Sequence, residues 1–139
     1  MSSEPIIEET CNCGAVSVAI PQSSLPESSV ACHCRNCKSS SGSLFSLNMI
    51  ISTKDVTING KPISYMEKEC ASGHHMSRYF CPTCGSAIMS VVSEDPSVAY
   101  VKTGLLAKSG VAAPPPGIEV WWRRAEAWEK PFAGCNIVE

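Results

Sequence analysis

Three short cysteine groups constrain this chain more than any other feature. CNCG (11–14), CHCRNC (32–37) and CPTCG (81–85) hold seven of the nine cysteines. The groups are Cys11 with Cys13, then Cys32, Cys34 and Cys37, then Cys81 with Cys84. Cys70 and Cys135 stand apart. An odd total leaves at least one thiol outside any full set of disulfides. The opening MSSEPIIEET carries acids and lacks the basic region of a secretory leader. The expectation is a reducing compartment, the cytosol, where tight cysteine clusters mean metal or redox chemistry.

CPTCG has the pattern of a zinc knuckle. Its two cysteines are three positions apart, and proline and glycine let the backbone turn both sulfurs toward one ion. CNCG offers a second pair, also followed by glycine. Together, Cys11, Cys13, Cys81 and Cys84 make the closed four-thiolate set of a structural site. The competing reading is two unrelated pairs of buried or redox-active thiols. CHCRNC then supplies only three sulfurs, and catalytic zinc sites keep one position for water or substrate. A divalent ion with three thiolates is anionic. It is a weak generator of hydroxide and a good host for a further soft sulfur ligand. A thiol substrate is therefore expected at Cys32, Cys34 and Cys37. Cys70, His74 and His75, in the loop ECASGHH, stand as alternative fourth ligands. His33, between two cysteines of an extended stretch, should point away from them.

The remaining pattern is that of short strands and turns. Strand candidates are 16–20, 44–51, 56–58, 63–67, 76–81, 86–92, 98–104 and 118–122. Asn59-Gly60 between the third and fourth suits a tight hairpin. Asp95-Pro96 should break the chain before VAYVKTG. APPPG (113–117) reads as a stiff extended loop. RRAEAWEK (123–130) has room for a helical turn before Pro131. The expectation is a mainly-β single domain, with an N-terminal tail (1–10), a zinc-binding domain (11–131) and a C-terminal tail (132–139). The 139 residues suit one domain, and 44% hydrophobic with 17% charged residues is a globular composition. Eleven basic against thirteen acidic residues give no surface suited to nucleic acid. No apolar run is long enough for a membrane helix.

Taken in order, CNCGAV, CHCRNCKSSSG, RYFCPTCGS, TGLL and IEVWWRRAEAW resemble the glutathione-dependent formaldehyde-activating enzyme family, which includes centromere protein V-like domains. The resemblance runs from about Cys11 to Pro131. It implies a small β-tent-like fold around two zinc ions. Cys11, Cys13, Cys81 and Cys84 match the family's structural ligands, and Cys32, Cys34 and Cys37 match those of its catalytic zinc. It also implies a carbon–sulfur lyase reaction that joins or separates glutathione and formaldehyde. Cys70, His74, His75 and the APPPG loop fall outside the shared pattern, and Cys135 lies beyond the motifs.

A glutathione-type thiol needs cations for its carboxylates. Arg35 and Lys38 beside the catalytic cysteines, and Arg123 and Arg124 beside two tryptophans, are the candidates, since arginine grips a carboxylate in bidentate fashion. Two other readings compete with the enzyme. One is a non-catalytic, zinc-stapled protein-interaction module; the other is a metal buffer or redox sensor.

Overall fold

Two sheets share one core in the computed structural model, which describes residues 4–70 and 72–139. The smaller sheet has three antiparallel strands in the order β1 (Ile6–Thr10), β2 (Ser17–Pro21) and β5 (Thr57–Asn59). The larger is built from β3 (Ser29–Cys32), β4 (Ser46–Ser52), β6 (Ile63–Glu67), β7 (Met76–Phe80), β8 (Ala87–Val92), β9 (Asp95–Lys102), β10 (Pro116–Val120) and β11 (Asn136–Ile137). Its order is β11-β10-β3-β4-β9-β8-β7-β6, parallel where β10 meets β3 and β11 and antiparallel elsewhere. The only α-helix among the described residues is α1 (Arg35–Ser41).

Strand alternation decides which side chains form the core. Ile7, Val18 and Ile20 of the small sheet meet Met49, Ile51, Ile88, Ala99 and Val101 of the large one. Leu105 and Leu106, from a 3-10 segment at Thr103–Lys108, join them. The opposite face of the large sheet, carrying Asn48, Ser90, Tyr100 and Lys102, is left for the candidate site described below.

Several expectations need correction. Asn59-Gly60 does not close a hairpin, because β5 pairs with β2 while β6 pairs with β7. Ile58 packs against the shared core, so β5 is drawn to the small sheet and the turn carries the chain between sheets. Gly60 is required there, since a Cβ would lie 2.2 Å from the Ala15 carbonyl oxygen. Asp95-Pro96 does not precede β9 but begins it. Asp95 pairs with Val92, so the turn falls at Ser93-Glu94. APPPG is part loop and part strand, as β10 starts at Pro116. Prolines cannot donate but still accept: the Pro115 carbonyl takes the Ser29 N–H at 2.7 Å and the Pro114 carbonyl takes the Ser29 hydroxyl at 2.8 Å. In the stretches read as tails, β1 and β11 are paired strands, while residues 1–3 lie outside the described residues.

β1 also buries an acid. Ile7 and Glu9 face inward, and Glu9 is 0% exposed with no hydrogen-bond partner for either carboxylate oxygen among the described residues. Burial pushes its carboxyl up to about 8. The unfolded chain ionises Glu9 in the ordinary carboxylate range and so binds fewer protons than the folded protein between those values. Stability is therefore fully present below the ordinary range and is lost as pH rises through about 8. Glu9→Gln should remove this slope. In urea titrations the variant should gain ~2 kcal/mol over wild type between roughly pH 6 and 8.5. A difference that does not change with pH would mean the carboxyl is not held protonated.

Candidate active site and metal centres

The first cysteine cluster joins the two sheets. Cys11 follows β1 and Cys81 follows β7, each at the start of a turn. Gly14 N–H bonds the Cys11 carbonyl at 3.1 Å, and Gly85 N–H bonds the Cys81 carbonyl at 2.8 Å. Gly85 takes a φ of 77°, which glycine adopts without strain. The sulfurs of Cys11, Cys13, Cys81 and Cys84 all lie within 4.8 Å of one another. Cys13 stands 3.7 Å from both Cys11 and Cys81. Four thiolates around zinc, each at about 2.3 Å, have edges of about 3.8 Å, so the donor set fits that ion. Backbone N–H groups already face the sulfurs, with Val16 N at 3.3 Å from Cys11 and Ala15 N at 3.5 Å from Cys13. The Ser86 hydroxyl beside Cys84 lowers that thiol to about 5.

The second cluster is built from β3 and α1. Cys32 ends β3, Cys34 caps α1, and Cys37 lies in its first turn. The Cys34 sulfur accepts the Cys37 N–H at 3.3 Å, as a serine oxygen does at an ordinary N-cap. The three sulfurs lie within 4.8 Å of one another. Hydrogen bonds from Cys32 and Cys37 hold the Cys34 thiol far below its usual range, and the same contact pushes Cys32 up. Both clusters consist of free thiols and can each hold a metal ion.

His33, His75 and Cys70 are otherwise engaged, whereas His74 lines the cavity onto which the three sulfurs open, with its Nδ1 3.9 Å from Glu94 Oε2. His33 points away from the sulfurs, and its Nε2 donates to Glu119 Oε1 at 2.9 Å with both side chains 1% exposed. Its ring packs against Phe45 and Trp122. His75 Nδ1 lies 2.8 Å from Glu94 Oε1. The Cys70 thiol donates to Glu67 Oε2 at 3.3 Å, and burial pushes it up to about 11. Cys135 donates to the Pro116 carbonyl at 3.1 Å.

The second cluster opens on a cavity of ≈ 240 Å³ over the outer face of the large sheet. Register lines up its far wall: Arg78 on β7 is opposite Ser90 on β8, Ser90 is opposite Tyr100 on β9, and Lys102 is opposite Asn48 on β4. Arg78 grips Glu67 in a bidentate pair, Nε to Oε1 at 3.1 Å and Nη2 to Oε2 at 2.9 Å. Burial lowers Lys102 to about 8, so it is largely cationic at neutral pH. Its Nζ donates only to Ser46 Oγ at 2.9 Å and Asn48 Oδ1 at 2.8 Å among the described residues.

A second cavity of ≈ 310 Å³ adjoins the first, with Cys34, Asn36, Cys70 and Trp121 lining both. Arg35, Arg123 and Arg124 line this outer cavity. Lys38 lines neither, since its ammonium is spent on the Arg124 carbonyl and on Glu126 Oε1 at 3.1 Å. Trp121, at the boundary, has a φ of 55° and is the one non-glycine residue with positive φ among those described. Such strain marks functional positions more often than ordinary loops. Arg123 sits over its ring at 4.7 Å. Arg78, Lys102 and Glu67 escaped the sequence reading. For Arg78 a signal existed: it is the one charge in β7, MSRYF, while Lys102 ends β9 after the apolar run VAYV.

The family model for the glutathione-dependent formaldehyde-activating enzyme matches residues 6–124. The chain belongs to that family. Among solved structures, a Rhodobacter sphaeroides protein crystallised as a structural-genomics target is similar, with a TM-score of 0.58 and 21% identity. The alignment covers 76% of this chain and 91% of that one, and the likeness is one of fold. No curated protein matches the sequence. The match ends at Arg124, the last arginine of the outer cavity. No helix is long and apolar enough to cross a membrane among the described residues.

Proposed function

We propose that this member of the glutathione-dependent formaldehyde-activating enzyme family is a zinc-dependent carbon–sulfur lyase and synthase, acting on the adduct of a glutathione-type thiol with a small carbonyl compound. The observation that carries this reading is the three-sulfur cluster facing a cavity, beside a four-sulfur cluster that staples the sheets. Zinc held by Cys32, Cys34 and Cys37 would leave one coordination position and keep a substrate sulfur in its thiolate form. Cys11, Cys13, Cys81 and Cys84 would hold a second, structural zinc.

The chain's own residues supply the rest. Arg78 and Lys102 offset the negative charge that thiolates gather on that wall of the cavity. Arg35, Arg123 and Arg124 offer forks to the carboxylates of the thiol in the outer cavity. Trp121 lines both spaces, where the thiol and the carbonyl compound would meet. In the synthetic direction the sulfur bonds the carbonyl carbon, and the π pair moves to oxygen. The thiol's proton ends on that oxygen, and nothing is oxidised or reduced. A reducing, cytoplasmic setting suits a site built from free thiols.

Elemental analysis and a glutathione titration of cobalt-substituted protein test the reading. Two metals per chain are expected, one for each cluster, with the absorption of one changing as thiol is added. One metal, or two that do not respond to thiol, would favour a non-catalytic zinc-stapled module. Cys34→Ser should cost at least ~1000-fold in turnover, since the open site loses a ligand. The fold should survive, because serine is itself a good helix N-cap. Turnover within a few-fold of wild type would remove the three-cysteine site from the chemistry.

A further inference from the structure

The inner cavity holds more cationic and polar equipment than an uncharged one-carbon aldehyde would use. Formaldehyde has two heavy atoms, whereas the cavity is several times a water's share of ~30 Å³. Its sheet wall presents Arg78 and Lys102 on the face that carries Cys32. Lys102 has no carboxylate partner among the described residues; its Nζ donates to Ser46 and Asn48, and the anions near it are the thiolates of Cys32, Cys34 and Cys37. Ser90 is opposite Arg78 on β7 and Tyr100 on β9, and it lines the cavity together with Lys102. It is 2% exposed, and its hydroxyl has no hydrogen-bond partner among the described residues. A buried hydroxyl is normally satisfied, so an orphan opposite Arg78, in a cavity that Lys102 also lines, points to a missing acceptor.

We propose that Lys102, Arg78 and Ser90 form a carboxylate-binding subsite, and that the electrophile used here is a small 2-oxo acid in aldehyde form rather than an uncharged aldehyde. This rests on the lyase reading above and narrows its substrate class. A planar carboxylate accepts from Lys102 Nζ, from the Ser90 hydroxyl and from the Arg78 guanidinium that Glu67 holds in place. The carbonyl next to that carboxylate is then directed at the cysteine cluster across the same cavity. The thiol sulfur bonds the aldehyde carbon, the C=O π pair moves to its oxygen, and the thiol proton ends there. The product is a 2-hydroxy-2-thio acid, with no change in net oxidation state.

The carboxylate could instead belong to the thiol, so the test separates the two sources. Glycolate, which cannot react, is titrated calorimetrically into the metal-loaded protein, with ethylene glycol as the neutral counterpart. Saturable binding of glycolate alone is expected, lost in Lys102→Met and weakened in Ser90→Ala. Turnover is then compared for glyoxylate and glycolaldehyde, once with glutathione and once with N-acetylcysteamine, a thiol without carboxylates. A preference for glyoxylate of at least about 30-fold is expected with both thiols, falling toward unity in Lys102→Met. The Ser90→Ala variant, which removes one oxygen, guards against misfolding of the lysine variant. Equal use of both aldehydes overturns the proposal. So does a loss of glutathione affinity in Lys102→Met with the aldehyde preference intact, which would give the cations to the thiol. Glycolate binding that depends on Lys102, with no turnover of any pair, keeps the subsite and overturns the lyase reading beneath it.

Discussion

Cys81→Ser is expected to abolish the folded state rather than weaken it. Cys81 is 0% exposed and belongs to both the apolar core and the four-sulfur cluster. Its N–H bonds the Ser86 carbonyl at 2.9 Å, and its carbonyl takes the Gly85 N–H, so the whole knuckle is organised around it. The cluster spans residues 11 to 84 and fastens the small sheet to β7 and β8. Structural zinc in comparable peptides contributes ~10–16 kcal/mol, which rivals the whole stability of a domain this size at ~5–15 kcal/mol. Losing one of four thiolates forfeits much of that term, and nine aromatic residues in 139 leave the core little to replace it. The measurement is soluble yield, far-ultraviolet circular dichroism and metal content, set beside Cys34→Ser. Cys81→Ser should be aggregated or unfolded, while Cys34→Ser should keep its spectrum and about one metal per chain. If the two variants fold equally well, the division into a stapling cluster and an open one is wrong.

The cysteine geometry was legible because metal-ligand spacing is local. Two residues between Cys81 and Cys84 dictate a turn, whatever the rest of the chain does. The strand at 63–67 was legible for a similar reason, and the structure places β6 there. Pairing was not local. Asn59-Gly60 has the chemistry of a hairpin, but Ile58 gained more by packing into the core than by facing β6. The helix at CHCRNCKSSSG was hidden because serine is a modest helix former and α1 has only seven residues. Its signal lies in the ends: the Cys34 cap and Gly42, whose N–H bonds the Lys38 carbonyl. β1 was hidden because IIEET has no clean alternation, and a buried glutamate defeats the usual reading of acids as exposed.

The cations of the inner cavity show a different limit. Arg78 and Lys102 are 24 positions apart and meet Cys32 only through the ladder β3-β4-β9-β8-β7. Proximity in sequence instead favoured Arg35 and Lys38. Of these, Arg35 lines the outer cavity, but Lys38 is tied to Glu126. A short separation from a metal ligand therefore ranks cations poorly, because a strand end and a helix turn point neighbouring side chains in different directions.

His33→Ala should be the most costly single change outside the four-sulfur cluster. The His33 ring fills the space between Phe45 and Trp122, and its Nε2 meets a carboxylate that is equally buried. Glu119 Oε2 accepts the Phe132 N–H at 2.8 Å, so this pair ties the cysteine loop to β10 and to the chain that follows. Removing the ring takes away the hydrogen-bond partner of the buried Glu119 Oε1 and leaves a ring-sized cavity, which together cost ~3–5 kcal/mol. Glu119→Gln keeps the shape and can still meet the ring, so it should cost less. The double variant should be less destabilised than the sum of the two single changes, by at least ~1 kcal/mol. Urea midpoints for the four proteins give that coupling directly. Simple additivity would mean that His33 contributes by filling volume and not by holding Glu119. Metal content offers an independent check, since His33 lies between Cys32 and Cys34 and its N–H bonds the Val120 carbonyl at 3.0 Å. If the pair fixes the loop, His33→Ala loses metal from the open cluster at chelator concentrations that leave the stapling cluster filled. A variant that loses stability while retaining both metals equally would confine His33 to packing.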